Sequence, residues 1–252
     1  DMAKAEIAEI ASNSAAPNFD NTIVALEKSG AALDRAGSVF GVYASDLNKD
    51  PVPDILKEMS PKFAAFSDSI TQNADLFARI KAVYDNQGRL NTEQKRLVTD
   101  YYQDFVRGGA NLNDADKAKM SKINARLASL TNAFGQNVLN DEQGYVTYIS
   151  KKSDLAGLPD WLVSAMANAA ESRDKSGQWA VTNTRSSMDP FLTYSDNRDL
   201  REKVWNTYYN RGDNGDENDN NANITEILQL RDQRAKLLGY PTHAHWKLEN
   251  QM

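Results

Sequence analysis

Few side chains in this sequence are equipped for chemistry, and their spacing works against most sites. The 252 residues contain two histidines and no cysteine. Disulfides, a cysteine nucleophile and thiolate metal sites are therefore excluded. His243 and His245 stand two residues apart. A helical zinc pair needs both rings on one face, at a spacing of three or four. Residues two apart on a helix point about 200° away from each other. Further ligands would have to be carboxylates, and zinc catalysis also needs an open coordination position and a base. The expectation is a helix start in which one histidine packs, the other faces water and neither binds metal. No Gly-rich phosphate loop, G-x-S-x-G motif or Ser–His–Asp pattern is present.

The acidic run from Asp213 to Asn223 invites a calcium reading. A calcium-binding helix–loop–helix needs Gly at the sixth position and Glu at the twelfth. Counting from Asp216 places Asn221 and Ile227 there, and counting from Asp213 places Asn218 and Ile224. Neither register works, so a solvated, mobile interhelical connector is expected, too polar to bury. Arg211-Gly212-Asp213 matches the integrin-binding tripeptide, but it follows an expected helix, where Gly212 suits a C-terminal cap. Trp205, Tyr208 and Tyr209 share a helix face at spacings of three and four. Packing is their expected role, and a tyrosine lining a substrate channel is the sharper reading.

The elements that would position these residues are mostly helical. Apolar residues recur at helical spacing over 19–48 and 52–71, with Pro61 marking a break or a new start. Leu76, Ile80 and Val83 share one face of a helix over 74–84. Asn91–Gln94 reads as a helix entry, and Leu97, Tyr101 and Phe105 then repeat until Gly108-Gly109 ends the helix. The clearest helix covers 113–140, with Ile123, Leu127, Leu130, Phe134 and Val138 on one stripe and Asn113 or Asp114 as cap. The pattern then changes. Residues 145–149 and 179–182 are β-branched and aromatic, which predicts two short strands flanking a helix over 160–174. Helices resume at 196–210, 222–238 and from 242 onward. The fold class is mainly α with a small β element near 145–149 and 179–182. No repeat and no secure domain boundary is visible.

Composition sets the outer bounds. A net charge of −6 and a pI near 5.1 argue against nucleic acid as a partner, which would need a basic stripe. No apolar run approaches the roughly 20 residues needed for a membrane span. The chain opens Asp1-Met2 and closes at Met252 inside an apparent helix, as expected of a piece of a longer protein. The compartment stays open between cytoplasm and periplasm.

One ordered series of motifs reaches further. Phe191-Leu-Thr-Tyr-Ser-Asp-Asn-Arg198 is followed by Val204-Trp-Asn-Thr-Tyr-Tyr209, Arg211-Gly-Asp213 and Lys236-Leu-Leu-Gly-Tyr-Pro241. Upstream stand Phe19 to Glu27, Asp104 to Ala110, Ile123-Asn124 through Phe134 to Leu139, and Leu155-Ala-Gly-Leu-Pro159. In this order they resemble the thimet-oligopeptidase-like zinc metallopeptidases, most closely the bacterial dipeptidyl carboxypeptidase branch. The resemblance spans roughly residues 17–252. It implies a helical, channel-forming fold and a parent enzyme that cleaves short peptides, either as a zinc-dependent peptidyl-dipeptidase that releases C-terminal dipeptides or as an oligopeptidase. The family's H-E-x-x-H helix and downstream Glu have no counterpart here, so no catalytic, cofactor-binding or metal-binding residue is assigned to this chain. Residues 1–252 are thus expected to be an N-terminal helical region, inactive alone, forming one channel wall. The zinc would be held by residues absent from this chain, and the missing C-terminal catalytic part would be its partner. Apolar surface left by that part is expected near Trp246 and Leu248. The alternative is a stand-alone helical module that binds peptides or proteins without catalysis.

Overall fold

In the computed structural model, which describes residues 1–250, the helical periodicities become twelve α-helices and one hairpin-sized sheet among the described residues. The helices are α1 (Met2–Ser12), α2 (Ala25–Lys28), α3 (Ala31–Asp46), α4 (Val52–Thr71), α5 (Ala74–Asp85) and α6 (Thr92–Arg107). They continue as α7 (Asp114–Gly144), α8 (Asp160–Glu171), α9 (Arg185–Tyr194), α10 (Arg198–Tyr209), α11 (Asn221–Leu237) and α12 (His243–Leu248). Strands β1 (Val146–Ile149) and β2 (Trp179–Thr182) pair antiparallel, Val146 opposite Thr182 and Ile149 opposite Trp179. The chain is mainly α with the small β element in its expected place.

The chain forms two compact units, a division that the sequence pattern does not reveal. One comprises Asp1–Asn132 and the residues from Ile227 onward, and the other is Ala133–Glu226. Both α7 and α11 run through the division, so neither break falls in a loop.

The first unit is built on the one-sided apolar pattern of α5 and α6. Leu76, Ile80 and Val83 pack with Val98, Phe105, Ile7, Ile10, Ile23 and Leu26. Phe77 stacks on Tyr102 and Phe105, and Tyr84 on Tyr102. Arg79 is buried among them because its guanidinium is spent on the chain before α2. It donates to the Asn13 and Ala15 carbonyls at 2.5 and 3.1 Å and to Asn21 Oδ1 at 2.9 Å. α6 starts with a reciprocal cap between Asn91 and Gln94. A smaller cluster joins α7 and α11 through Leu127, Leu130 and Ile227.

The second unit packs β1 and β2 against α8, α9 and α10. Its core holds Ile149, Leu162, Met166, Val181, Met188, Phe191 and Val204. Gly157 has φ +84°, and a Cβ there would stand 2.3 Å from the Tyr194 carbonyl. Only glycine lets the 155–159 turn approach the end of α9 so closely.

Several elements differ from the sequence expectation. Helix α4 runs unbroken through Pro61. The hydrogen bond that proline forfeits points toward Lys57, which is exposed and can be hydrated instead. The 19–48 stretch is not one helix. It begins as a π-helical turn, Phe19–Val24, and restarts after Gly30 at φ +81°. Helices α1 and α9 lie where none was expected. The last helix ends at Leu248; the expected helical close at Met252 lies outside the described residues.

Candidate functional site

The two histidines fall as their spacing dictates. Thr242 caps α12 and places His243 and His245 in its first turn. His243 is half-buried and lies 5.5 Å from the Trp246 ring, centroid to centroid. Burial, and then the positive charges of Arg234, Arg231 and Lys247, hold its pKa below the usual 6.5. His245 is exposed, its Nδ1 2.8 Å from Thr242 Oγ1. One histidine packs and the other faces water. Among the described residues no group of three or more His, Asp or Glu side chains could hold a metal ion. The donor set present here does not fit zinc.

Around α12 the first unit gathers its cations. The Arg107 and Arg234 guanidiniums both lie over the Trp246 ring, at 5.2 and 4.6 Å from its centroid. Arg107 also donates to Glu249 Oε2 and to the Trp246 carbonyl, each at 2.6 Å. Glu249 accepts from the Tyr240 hydroxyl as well, and these two bonds hold its carboxyl below the usual range. The apolar patch expected at Trp246 is therefore a cation–aromatic contact. Leu248 is exposed.

Beside this cluster an open groove of about 680 Å³ runs between α4, α7 and α11. Its floor is Phe63, Ala64, Leu127 and Ala128, and its polar end is Asp68, Asn124, Arg231 and Arg234. Asp68 is 7% exposed and accepts from Asn124 Nδ2 at 2.7 Å. Asn124 Oδ1 in turn accepts from Arg234 Nη1 at 3.2 Å. Burial, and then the neighbouring Arg231, lower the Arg234 pKa.

In the second unit the 211–223 loop is not the free connector that its polarity suggests. Asp141, fully buried on α7, accepts from Gly212 N at 2.7 Å, Asn214 Nδ2 at 2.8 Å and Asn218 Nδ2 at 2.9 Å. Asn220 is 1% exposed, bonded to Asn137 and to the Phe134 carbonyl. Polar residues bury here because a carboxylate and a helix carbonyl accept their N–H groups. The loop's own carboxylates are occupied locally. Asp216 accepts from the Tyr145 hydroxyl, Asp213 from Asn221, and Asp219 from Gly215 N and Asn221 N.

The Arg211-Gly212-Asp213 tripeptide is folded into this network. Arg211 pairs with Glu142 at 2.6 Å and lies 3.8 Å from the Tyr208 ring centroid. Gly212 is not a simple helix cap, since α10 has already ended at Tyr209. It has φ +74°, and a Cβ would stand 2.7 Å from Asn220 Nδ2. The aromatic face of α10 also divides. Tyr208 packs on the core with Val204, while Trp205 and Tyr209 are 48% and 61% exposed and stack at 4.9 Å. Packing therefore describes Tyr208 alone.

Residues 191–252 match the model of peptidase family M3. Over 251 residues, 99% of its length, the chain is 35% identical to the dipeptidyl carboxypeptidase of Escherichia coli (strain K12). By these two matches the chain is similar to the M3 peptidases. It is 33% identical over 251 residues to the dipeptidyl carboxypeptidase of Salmonella typhimurium and 28% identical over 255 to that organism's oligopeptidase A. The chain spans 37% of the length of each of these relatives. The M3 match opens at the fully buried Phe191 and takes in the end of α9, all of α10, the Asp141-bound loop, α11 and α12. Sequence reasoning missed two features of this M3 segment and its surroundings. Asp141 carried no signal beyond being an acid inside a long helix. The arginine pair of α11, at spacing three, was visible and could have been noticed.

Proposed function

We propose that this chain is the non-catalytic, N-terminal part of a zinc-dependent M3 peptidase. It would form one wall of the channel in which the complete enzyme cuts short peptides and releases C-terminal dipeptides. The observation that carries this reading is the whole-chain likeness to dipeptidyl carboxypeptidase, in a sequence that contains no H-E-x-x-H. A catalytic zinc needs protein ligands and a base, and the His243–His245 pair supplies neither the geometry nor the base. The zinc ligands and the residues that activate water would then come from the remaining part of the enzyme, the partner of this chain. A wall must be stiff and carry open, one-sided grooves. The cores of the two units and the groove of the first are consistent with that task.

The test is a comparison of residues 1–252 with the complete protein. The chain alone should release no dipeptide from short peptides and retain no stoichiometric zinc, while the complete protein does both. One tightly held zinc per 252-residue chain, with cleavage abolished by a chelator, would overturn the assignment.

A further inference from the structure

At the polar end of the groove between α4, α7 and α11, two guanidiniums, Arg231 and Arg234, face one carboxylate, Asp68. Arg231 is exposed and forms no hydrogen bond or ion pair with any described residue. Arg234 stands one turn further along α11, and its Nε is buried without a partner among the described residues. Asp68 Oδ2 is likewise buried and unpartnered. A buried donor and a buried acceptor left open in one groove ask for a ligand that supplies both complements. The arrangement is also held in place. Asp68 Oδ1 takes the Asn124 amide N–H, which turns Asn124 Oδ1 toward Arg234. Next to these groups lie Phe63, Ala64 and Leu127, a floor for an apolar side chain.

We propose that the groove binds the C-terminal end of a short peptide, its α-carboxylate seated between Arg231 and Arg234 and its last apolar side chain on Phe63 and Leu127. Two guanidiniums complement a carboxylate with charge-assisted bonds. A peptide also carries the main-chain N–H that Asp68 Oδ2 lacks. The choice of a peptide, rather than another apolar carboxylate, rests on the peptidase reading given above.

The experiment titrates the 252-residue chain with Ala-Ala-Ala-Leu as free acid and as C-terminal amide, following indole fluorescence, since Arg234 lies over Trp246. The acid should bind about tenfold more tightly than the amide, the worth of one charge-assisted contact. Arg231→Gln should erase that preference while leaving the melting curve unchanged, because Arg231 is exposed and has no partner among the described residues. Equal affinity for acid and amide, no binding of either, or a preference that survives Arg231→Gln would each overturn the proposal. The same peptides and substitution in the complete protein, held from turnover by a chelator, give a second reading. If that protein cleaves peptides in the absence of the chelator, yet Arg231→Gln leaves the preference for acids in its presence intact, the groove assignment fails and the peptidase reading stands. If it cleaves none, the peptidase reading fails and the titration still decides the groove.

Discussion

Asp141 ties the 211–223 loop to α7. Its two oxygens accept three N–H donors from a loop that has no apolar anchor of its own. Asp141→Asn turns one acceptor into a donor facing donors, so it should cost about 2–3 kcal/mol, in the range for hydrogen bonds to a buried charge. The loop's Asp213 and Asp216 are exposed, Asp219 is half-buried, and all three are bonded locally. Their joint replacement by Asn should stay within about 0.5 kcal/mol, and paired denaturant melts compare the two. Calcium should not raise the melting temperature of the unmodified chain, and a rise that vanishes in the triple variant would reveal an ion site after all. His243 gives a second residue-level consequence. Its folded pKa lies below its ordinary 6.5, so the unfolded state binds the proton more readily. Its contribution is fully present above about pH 6.5 and is lost as pH falls from there through the lower folded pKa. His243→Gln should flatten that part of the stability–pH profile, and an unchanged acid limb would show that His243 is not its source.

At the scale of elements, legibility followed the strength of local signals. Helices α5, α6 and α7 were readable because apolar stripes and capping residues agree, α8 because its apolar stripe follows Pro159, and the two strands because β-branched and aromatic residues cluster. Helix α1 was missed because alanines dilute its stripe and only Ile7 and Ile10 are buried. Helix α9 was missed because it contains serines, Thr193 and an internal Pro190, and its burial against β2 outweighs those propensities. Of the functional candidates, the histidine geometry was readable from spacing alone. The groove was not, since its polar end draws on α4, α7 and α11, more than 160 residues apart in sequence between Asp68 and Arg234. The clearest local signal gives a quantitative expectation. Asn91 and Gln94 each accept the other's main-chain N–H at the start of α6. Asn91→Ala should cost about 1 kcal/mol. The double replacement with Gln94→Ala should cost less than the sum, because the two bonds form one reciprocal cap. Full additivity in a double-mutant cycle would contradict that coupling.

For the molecule as a whole, the informative surface is α3. This helix of 16 residues buries none of them. Val39, Val42 and Tyr43 recur at helical spacing on its outside, with Val39 62% exposed, and the exposed Leu47 follows directly after its end. Phe63 and Ile55 of α4 are exposed as well. Neighbouring apolar side chains left open to water mark a surface used for association. If the chain is one wall of a larger peptidase, α3 is where that use should show, rather than Trp246, which Arg107 and Arg234 already cover. The isolated chain should then bind a hydrophobic dye and self-associate as its concentration rises. Val39→Glu with Val42→Glu should suppress both while leaving stability within about 0.5 kcal/mol, since both positions are exposed. Leu248→Glu should change neither. A monomeric chain that binds no dye, or dye binding untouched by the α3 pair, would mean that α3 is an ordinary solvated helix and would favour a self-sufficient binding module over a wall built to meet a partner.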